Sequence, residues 1–296
     1  MFVVADDGVK LYAEIEDVKR ATATVVMSHG FLGSSDVWRL PRQALPDNVR
    51  IVVWDQRGHG RSETGSTAHV TMEVLGDDLR AVIEQTALAH RPVFVVGHSM
   101  GAISILFLNS LLGTVVTGVL LCSSSAGDLH TVTAGLPYWP AKLAHVTMPY
   151  LLQVFVGKRW WVEPARSILS TPFLLLLHRY LFASAFVSFG ELVRDLSAIR
   201  STQLARQLWD ALHDYSAYER LSVLRRVTTW VVVGEDDLIT PVDHSRRIIE
   251  AVPTARLMVV PRAGHMVITE APETMGACVS DFIKECLSTR ISKAVV

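Results

Sequence analysis

A serine, two aspartates and a histidine in this 296-residue chain each follow a short apolar run. Ser99 stands between Gly97 and Gly101 in "VVGHSMG", after the run 93–96. Asp236 and Asp237 follow 231–233 in "GEDDLITP", and His265 follows 256–260 in "PRAGHM". These are the residue types of a nucleophilic relay. A serine hydroxyl is a poor nucleophile until an imidazole takes its proton and a carboxylate holds the imidazole's tautomer. A Gly-x-Ser-x-Gly pentapeptide also describes a plain small-residue turn, so the motif alone leaves both readings open. Its setting favours the first. A turn that runs straight from strand to helix holds its serine at an awkward backbone angle, and glycines two residues either side avoid crowding the neighbouring chain. The helix start that follows presents backbone amides to developing negative charge.

For these residues to meet, the elements carrying them must end on one edge. The runs "TVVMSHG" (24–30), "RIVVWDQRG" (50–58), "PVFVVGHS" (92–99), "VVTGVLLCSSS" (115–125), "TWVVVGEDD" (229–237) and "ARLMVVPRAGH" (255–265) do not alternate with polar residues. That suits strands buried on both faces of a parallel sheet. Between them, 71–90 places Met72, Leu75, Leu79, Val82, Ile83 and Leu88 on one helical stripe, with Thr71 as its N-cap. The nearly all-apolar stretch 99–113 predicts a central helix ending at Gly113, and 241–252 and 272–287 predict helices starting near Pro241 and Pro272. Strand–helix alternation with right-handed crossovers predicts an α/β fold around a mostly parallel, doubly wound sheet. Its chemistry belongs at the carboxyl ends of the strands. The alternation breaks over 126–226, a block rich in Leu, Trp, Tyr and Phe and cut by prolines at 137, 140, 149, 164 and 172. It is too long for a loop. We expect a helical insertion over the carboxyl edge, dividing the chain into core 1–125, insertion 126–226 and core 227–296.

Half of the residues are hydrophobic, 19% are charged and the net charge is -1, with no long basic run, so nucleic acid is excluded as a partner. Cys122, Cys278 and Cys286 are odd in number and lack CxxC spacing, which predicts reduced thiols rather than disulfides or a metal site. The first twenty residues carry acidic side chains where a secretory signal needs basic ones, so a cytoplasmic location is expected. The stretch "TPFLLLLHRYLFASAFVSFG" (171–190) approaches membrane-spanning length but contains His178 and Arg179. A buried helix is the expectation, with contact to a lipid surface or greasy substrate as the other reading. "RGHG" and "GFLG" lack both the full GxGxxG spacing and a Walker lysine, so no nucleotide cofactor is expected.

Together these motifs resemble the α/β-hydrolase superfamily over nearly the whole chain, and the order Ser, Asp, His is that family's order. "SHGFLGSSDVW" (28–38) resembles its His-Gly loop after the third strand, "DQRGHGRS" (55–62) its loop after the fourth, and "AGHM" its histidine loop. The block 126–226 resembles its cap domain. "GEDDLITP" fits the family pattern Gly-x-x-Asp-x-x-x-Pro, which selects Asp237 over Asp236. The resemblance implies Ser99 as nucleophile, His265 as general base and then acid, and Asp237 as its orienting acid. It also implies the backbone N–H groups of Phe31 and Met100 as an oxyanion hole. Among rivals, His98 should point away from its neighbour Ser99, while His29, His59 and Asp55 should brace loops. Asp128, after the strand at 116–121, is the alternative acid.

Dehalogenases and epoxide hydrolases of this family carry aspartate at the elbow, so a serine there implies acyl chemistry. The short "HGF" loop resembles those of small-acyl esterases, monoglyceride-lipase-like enzymes and perhydrolases. Aromatic residues of the block, among them Trp139, Tyr150, Trp160, Trp161, Phe173 and Trp209, favour an apolar acyl, alkyl or aryl group. Arg159, Arg166 and Arg179 are scattered rather than grouped for an anionic substrate. The expected activity is a cofactor-free serine esterase or lipase working through an acyl-enzyme on small hydrophobic esters. Thioesterase, C–C hydrolase or peroxidase-like activity, and a ligand-sensing receptor with little turnover, are the alternatives.

Overall fold

The computed structural model describes residues 1–65, 70–108, 111–133 and 201–294, with 139, 142–143, 146–147, 150, 181–183 and 198–199 between them. Its eight described strands are β1 (Phe2–Val4), β2 (Lys10–Glu16), β3 (Ala23–Ser28), β4 (Val49–Trp54), β5 (Val93–His98), β6 (Val116–Cys122), β7 (Thr228–Gly234) and β8 (Arg256–Val260). They form one sheet in the order β1-β2-β4-β3-β5-β6-β7-β8. β1 and β2 run antiparallel, and every pairing from β4 to β8 is parallel.

Each of the six apolar runs forms a strand, and β3 and β5 are buried along their whole length. One of these six strands departs from the expectation of two buried faces. β8 closes the sheet as an edge, so only Val260 is buried and Val259 stays 39% exposed. β1 and β2 lie outside those runs, and the antiparallel β2 buries Leu11 and Ala13 with Tyr12 half-buried between them, the alternation of a strand covered on one side.

Helices cover both faces. On one, α1 (Met72–Thr86), α2 (Met100–Ile105) and α3 (Thr202–Asp214) pack over Val26, Val95, Val119 and Val231. On the other, α6 (Pro272–Ala294) packs over Phe94, Val96, Leu120 and Val232, with the Phe282 ring edge-on to Phe94 at 6.2 Å. Between them in sequence lie α4 (Val242–Ala251) and the single turn α5 (Val267–Glu270). Thr71 caps α1 by accepting from the Val74 N–H. Pro241 and Pro272 open α4 and α6 as expected.

The central helix is shorter than its apolar stretch suggests. α2 ends at Ile105, not near Gly113, because the chain tightens into i→i+3 bonds from Leu106, Phe107 and Leu108 back to Ile103, Ser104 and Ile105. The Ser104 hydroxyl donates to the Gly101 carbonyl at 2.8 Å, a local bond that competes with a regular helix. The tightened turn seats Phe107 against Gly76 of α1, where a Cβ would lie only 2.6 Å from the Phe107 Cβ.

Within the block 126–226, α3 places Leu204, Leu208 and Leu212 in the core beside α1, and 218–226 adds Leu221 and Leu224. The prolines named above, most of the aromatic residues and all of 171–190 except 181–183 lie outside the described residues.

The loop after β4 is tied to the rest by a buried ion pair. Arg57 grips Asp78 of α1 bidentately, Nε to Oδ2 at 2.6 Å and Nη2 to Oδ1 at 2.7 Å, and adds Asp7 at 2.9 Å. Asp78→Ala leaves this buried guanidinium with only the half-exposed Asp7, and removing one partner of a buried pair costs about 3–5 kcal/mol. We expect a loss at the lower end of that range, read from the urea unfolding midpoint. A change below about 1 kcal/mol would mean that Asp7 or water replaces Asp78 fully.

Candidate active site

Ser99 lies between the end of β5 and the start of α2 with φ 51° and ψ -120°. Its N–H donates to the Cys122 carbonyl at 2.9 Å, and its carbonyl accepts from Ala102 and Ile103. The two glycines of the pentapeptide are sterically required. A Cβ on Gly97 would lie 2.5 Å from the Gly101 carbonyl, and one on Gly101 would lie 2.4 Å from the His29 carbonyl. The elbow, α2 and the end of β3 are therefore in backbone contact.

The Ser99 Oγ lies 3.0 Å from Nε2 of His265, and the His265 Nδ1 lies 3.0 and 3.1 Å from the two Asp237 oxygens. Asp237 also accepts from the N–H of Ile239 and from the N–H and hydroxyl of Thr240, at 2.8–2.9 Å. This network assigns the proton of His265 to Nδ1 and leaves Nε2 to accept from the serine. Burial raises the pKa of Asp237, but the adjacent His265 and the Thr240 donors outweigh it and hold the carboxyl below the ordinary range.

Asp236 is exposed and donates its N–H to Ala263. Asp128 turns to the Tyr218 hydroxyl at 2.9 Å and to Arg247 at 3.3 Å. A second serine–histidine contact, Ser125 to Nδ1 of His244 at 2.7 Å, is of another kind. The buried Ser125 hydroxyl donates to the Gly127 carbonyl and accepts from the Gly127 N–H. With its proton already committed, it braces a turn and accepts a hydrogen bond from the His244 Nδ1–H rather than donating one.

The loop after β3 lies directly against Ser99: a Cβ on Gly30 would be 3.1 Å from the Ser99 Cβ. Among the described residues, neither the Phe31 N–H nor the Met100 N–H donates to a protein group. Two free donors thus border the serine from the β3 loop and from the first residue of α2.

The alpha/beta hydrolase family model matches residues 25–276. The chain belongs to this family. It is 27% identical over 260 residues, 88% of this chain and 90% of the other, to a protein of Caulobacter sp. (strain K31) with the provisional name carbamate hydrolase RutD. It is 27% identical over 296 residues to a non-heme haloperoxidase of Rhodococcus erythropolis, covering 96% of this chain and 99% of that one. Among solved structures, the esterase EaEST from Exiguobacterium antarcticum superposes with TM-score 0.75 at 22% identity, covering 96% of this chain and 99% of that chain. At that identity the likeness is one of fold.

In this alpha/beta hydrolase the loops around the serine are held by buried histidines. His29 donates from Nδ1 to the Gly30 carbonyl and accepts the Gln56 N–H at Nε2. His59 donates to the Arg57 carbonyl and accepts the Leu32 N–H at 3.3 Å. Asp55 accepts from the N–H groups of Ser35 and Arg61. The His98 ring donates from Nε2 to the His265 carbonyl at 2.9 Å, so it holds the histidine loop rather than the serine. The sequence reading passed over Thr240, Gln56 and the task of His98. Thr240 could have been found in "GEDDLITP", because a hydroxyl three residues after an aspartate can reach back to its carboxylate.

Burial holds His29, His59 and His98 below the ordinary histidine value, His59 and His98 down to about 3. Unfolding releases these rings to water, where they take up protons near pH 6.5. Their folded values are depressed, so stability is present above the unfolded value and falls as pH drops below it. Asp78, which burial pushes up to about 6, opposes this by at most one proton. From His59 and His98 net of Asp78 we expect a loss of about 2–3 kcal/mol between pH 7 and pH 5 in urea unfolding, to which His29 adds in the same direction. A flat profile over that interval would mean that the rings are protonated in the folded protein.

Proposed function

We propose that the protein is a serine hydrolase that cleaves carboxylic esters with apolar acyl or alkyl groups. The observation that carries this reading is the line Ser99–His265–Asp237, bordered by the free N–H groups of Phe31 and Met100. Ser99 Oγ attacks the ester carbonyl carbon while His265 Nε2 takes its proton. The two N–H groups hold the oxyanion, and His265 returns the proton to the leaving alcohol. Water, deprotonated by the same nitrogen, then releases the acid from the acyl-enzyme. Asp237 stabilises the imidazolium formed at each stage.

The block 126–226 acts in this reading as a cap that shapes an apolar acyl pocket and meets lipid-like substrate. Its described residues support this by touching both loops at the site: Met266 donates to Leu181, and Gly60 donates to Ala198. The likeness to the Rhodococcus haloperoxidase favours a second reading, in which hydrogen peroxide instead of water takes the acyl group and yields a peracid. No helix among the described residues is long and apolar enough to cross a membrane. The three buried, unpaired cysteines suit the reducing cytoplasm as its location.

p-Nitrophenyl esters from acetate to laurate test the proposal. We expect turnover that favours the longer chains, a loss on the order of a million-fold in Ser99→Ala, and about 10⁴-fold in Asp237→Asn. Asp236→Asn and Asp128→Asn should stay near wild type. Absence of hydrolysis at every chain length would sink the ester reading, and acyl-enzyme that accumulates without turnover would point to a ligand sensor. Faster acyl release to peroxide than to water would favour the second reading.

A further inference from the structure

His265 is flanked by two backbone N–H groups, and both are held from outside its loop. Met266 donates to the Leu181 carbonyl at 3.0 Å, and Gly264 donates to Oε1 of Glu270 at 2.8 Å. The other oxygen of that carboxylate, Oε2, accepts from the Ala183 N–H at 2.8 Å. Glu270, the last residue of α5, therefore bridges the histidine loop and residues 181–183. The fit is close, because a Cβ on Gly264 would lie 2.7 Å from the Ala183 nitrogen and 3.1 Å from both Glu270 Oε1 and the Leu181 carbonyl oxygen. A carboxylate suits this place because both its oxygens accept. An amide of the same shape would have to turn its NH₂ toward one of two N–H donors.

We propose that Glu270 is a positioning residue that makes the placement of His265 depend on the docking of residues 181–183. One oxygen holds the Gly264 N–H and the other the Ala183 N–H, so residues 181–183 and the loop of the proposed base move as one unit. The role rests on the hydrolase reading of Ser99 and His265. Such a clamp gives residues 181–183 a hold, through the Gly264 backbone, on the loop that carries the reactive nitrogen. A displacement of about 1 Å at a reacting group costs on the order of a hundredfold in rate.

The test uses a fluorophosphonate that labels Ser99, together with ester kinetics and amide hydrogen exchange at Gly264 and Ala183. Glu270→Gln keeps the volume of the side chain, so a packing role alone would leave its rates unchanged. We expect labelling and kcat to fall about ten- to a hundredfold, with KM within twofold of wild type and faster exchange at both amides. Ala183→Pro removes the second donor at an exposed position, fixes φ there and restricts the preceding Phe182, and should slow labelling in the same direction. Wild type that labels at Ser99, with both variants labelling within twofold of it, would overturn the clamp alone. Wild type that takes no label at Ser99 would overturn the hydrolase reading and this role with it.

Discussion

The backbone of Ser99 occupies φ 51°, ψ -120°, a region that costs a non-glycine residue about 1–3 kcal/mol. The surrounding structure over-determines it. Its N–H is bound to β6, its carbonyl receives two N–H groups of α2, and the glycines on either side admit backbone from β3 and α2 at contact distance. Relaxing that turn would swing the hydroxyl away from His265 and separate the Met100 N–H from the loop that carries Phe31. The side chains reach their hydrogen-bonding distances because the backbone beneath them cannot move.

The electrostatics around the turn follow from burial. His29, His59 and His98 are deep enough to stay neutral, so each ring can donate from one nitrogen and the first two also accept at the other. A neutral ring is the better brace here, since it adds no positive charge beside the imidazolium that the proposed reaction forms at His265. Asp237 is the buried carboxylate in contact with that ring. That ring, and then the bonds from Thr240, hold its pKa low against the burial that raises it.

The strands and the separation of the helices were legible because apolar runs and apolar stripes have different periods. Thr71, Pro241 and Pro272 marked helix starts for local reasons that tertiary structure did not override. Two kinds of feature escaped. The length of α2 was hidden because its apolar stretch continues past the point where Phe107 meets Gly76, a contact between residues distant in sequence. The half-exposed β8 was hidden because an apolar run reads the same at the edge of a sheet as at its centre. In the site, residue types pointed to Ser99, His265 and the pair Asp236 and Asp237, and the family pattern chose Asp237. Thr240, Gln56 and Glu270 are ordinary polar residues until the fold brings a partner to them.

Apolar runs alternating with helical stripes by themselves determined the fold class, and "GHSMG", "GEDDLITP" and "AGHM", each just after such a run, the set of side chains able to form a relay. Strand order in a parallel sheet places such loops on one edge whatever the distances prove to be. Only the tertiary structure decided how Asp237 meets the imidazole, which nitrogen of each histidine carries the proton, and that a carboxylate joins residues 181–183 to the histidine loop. The physical reason is range. Burial and periodicity are written along the chain, whereas a hydrogen bond between residues far apart in sequence depends on ångström-scale placement that only the packed sheet and its helices supply.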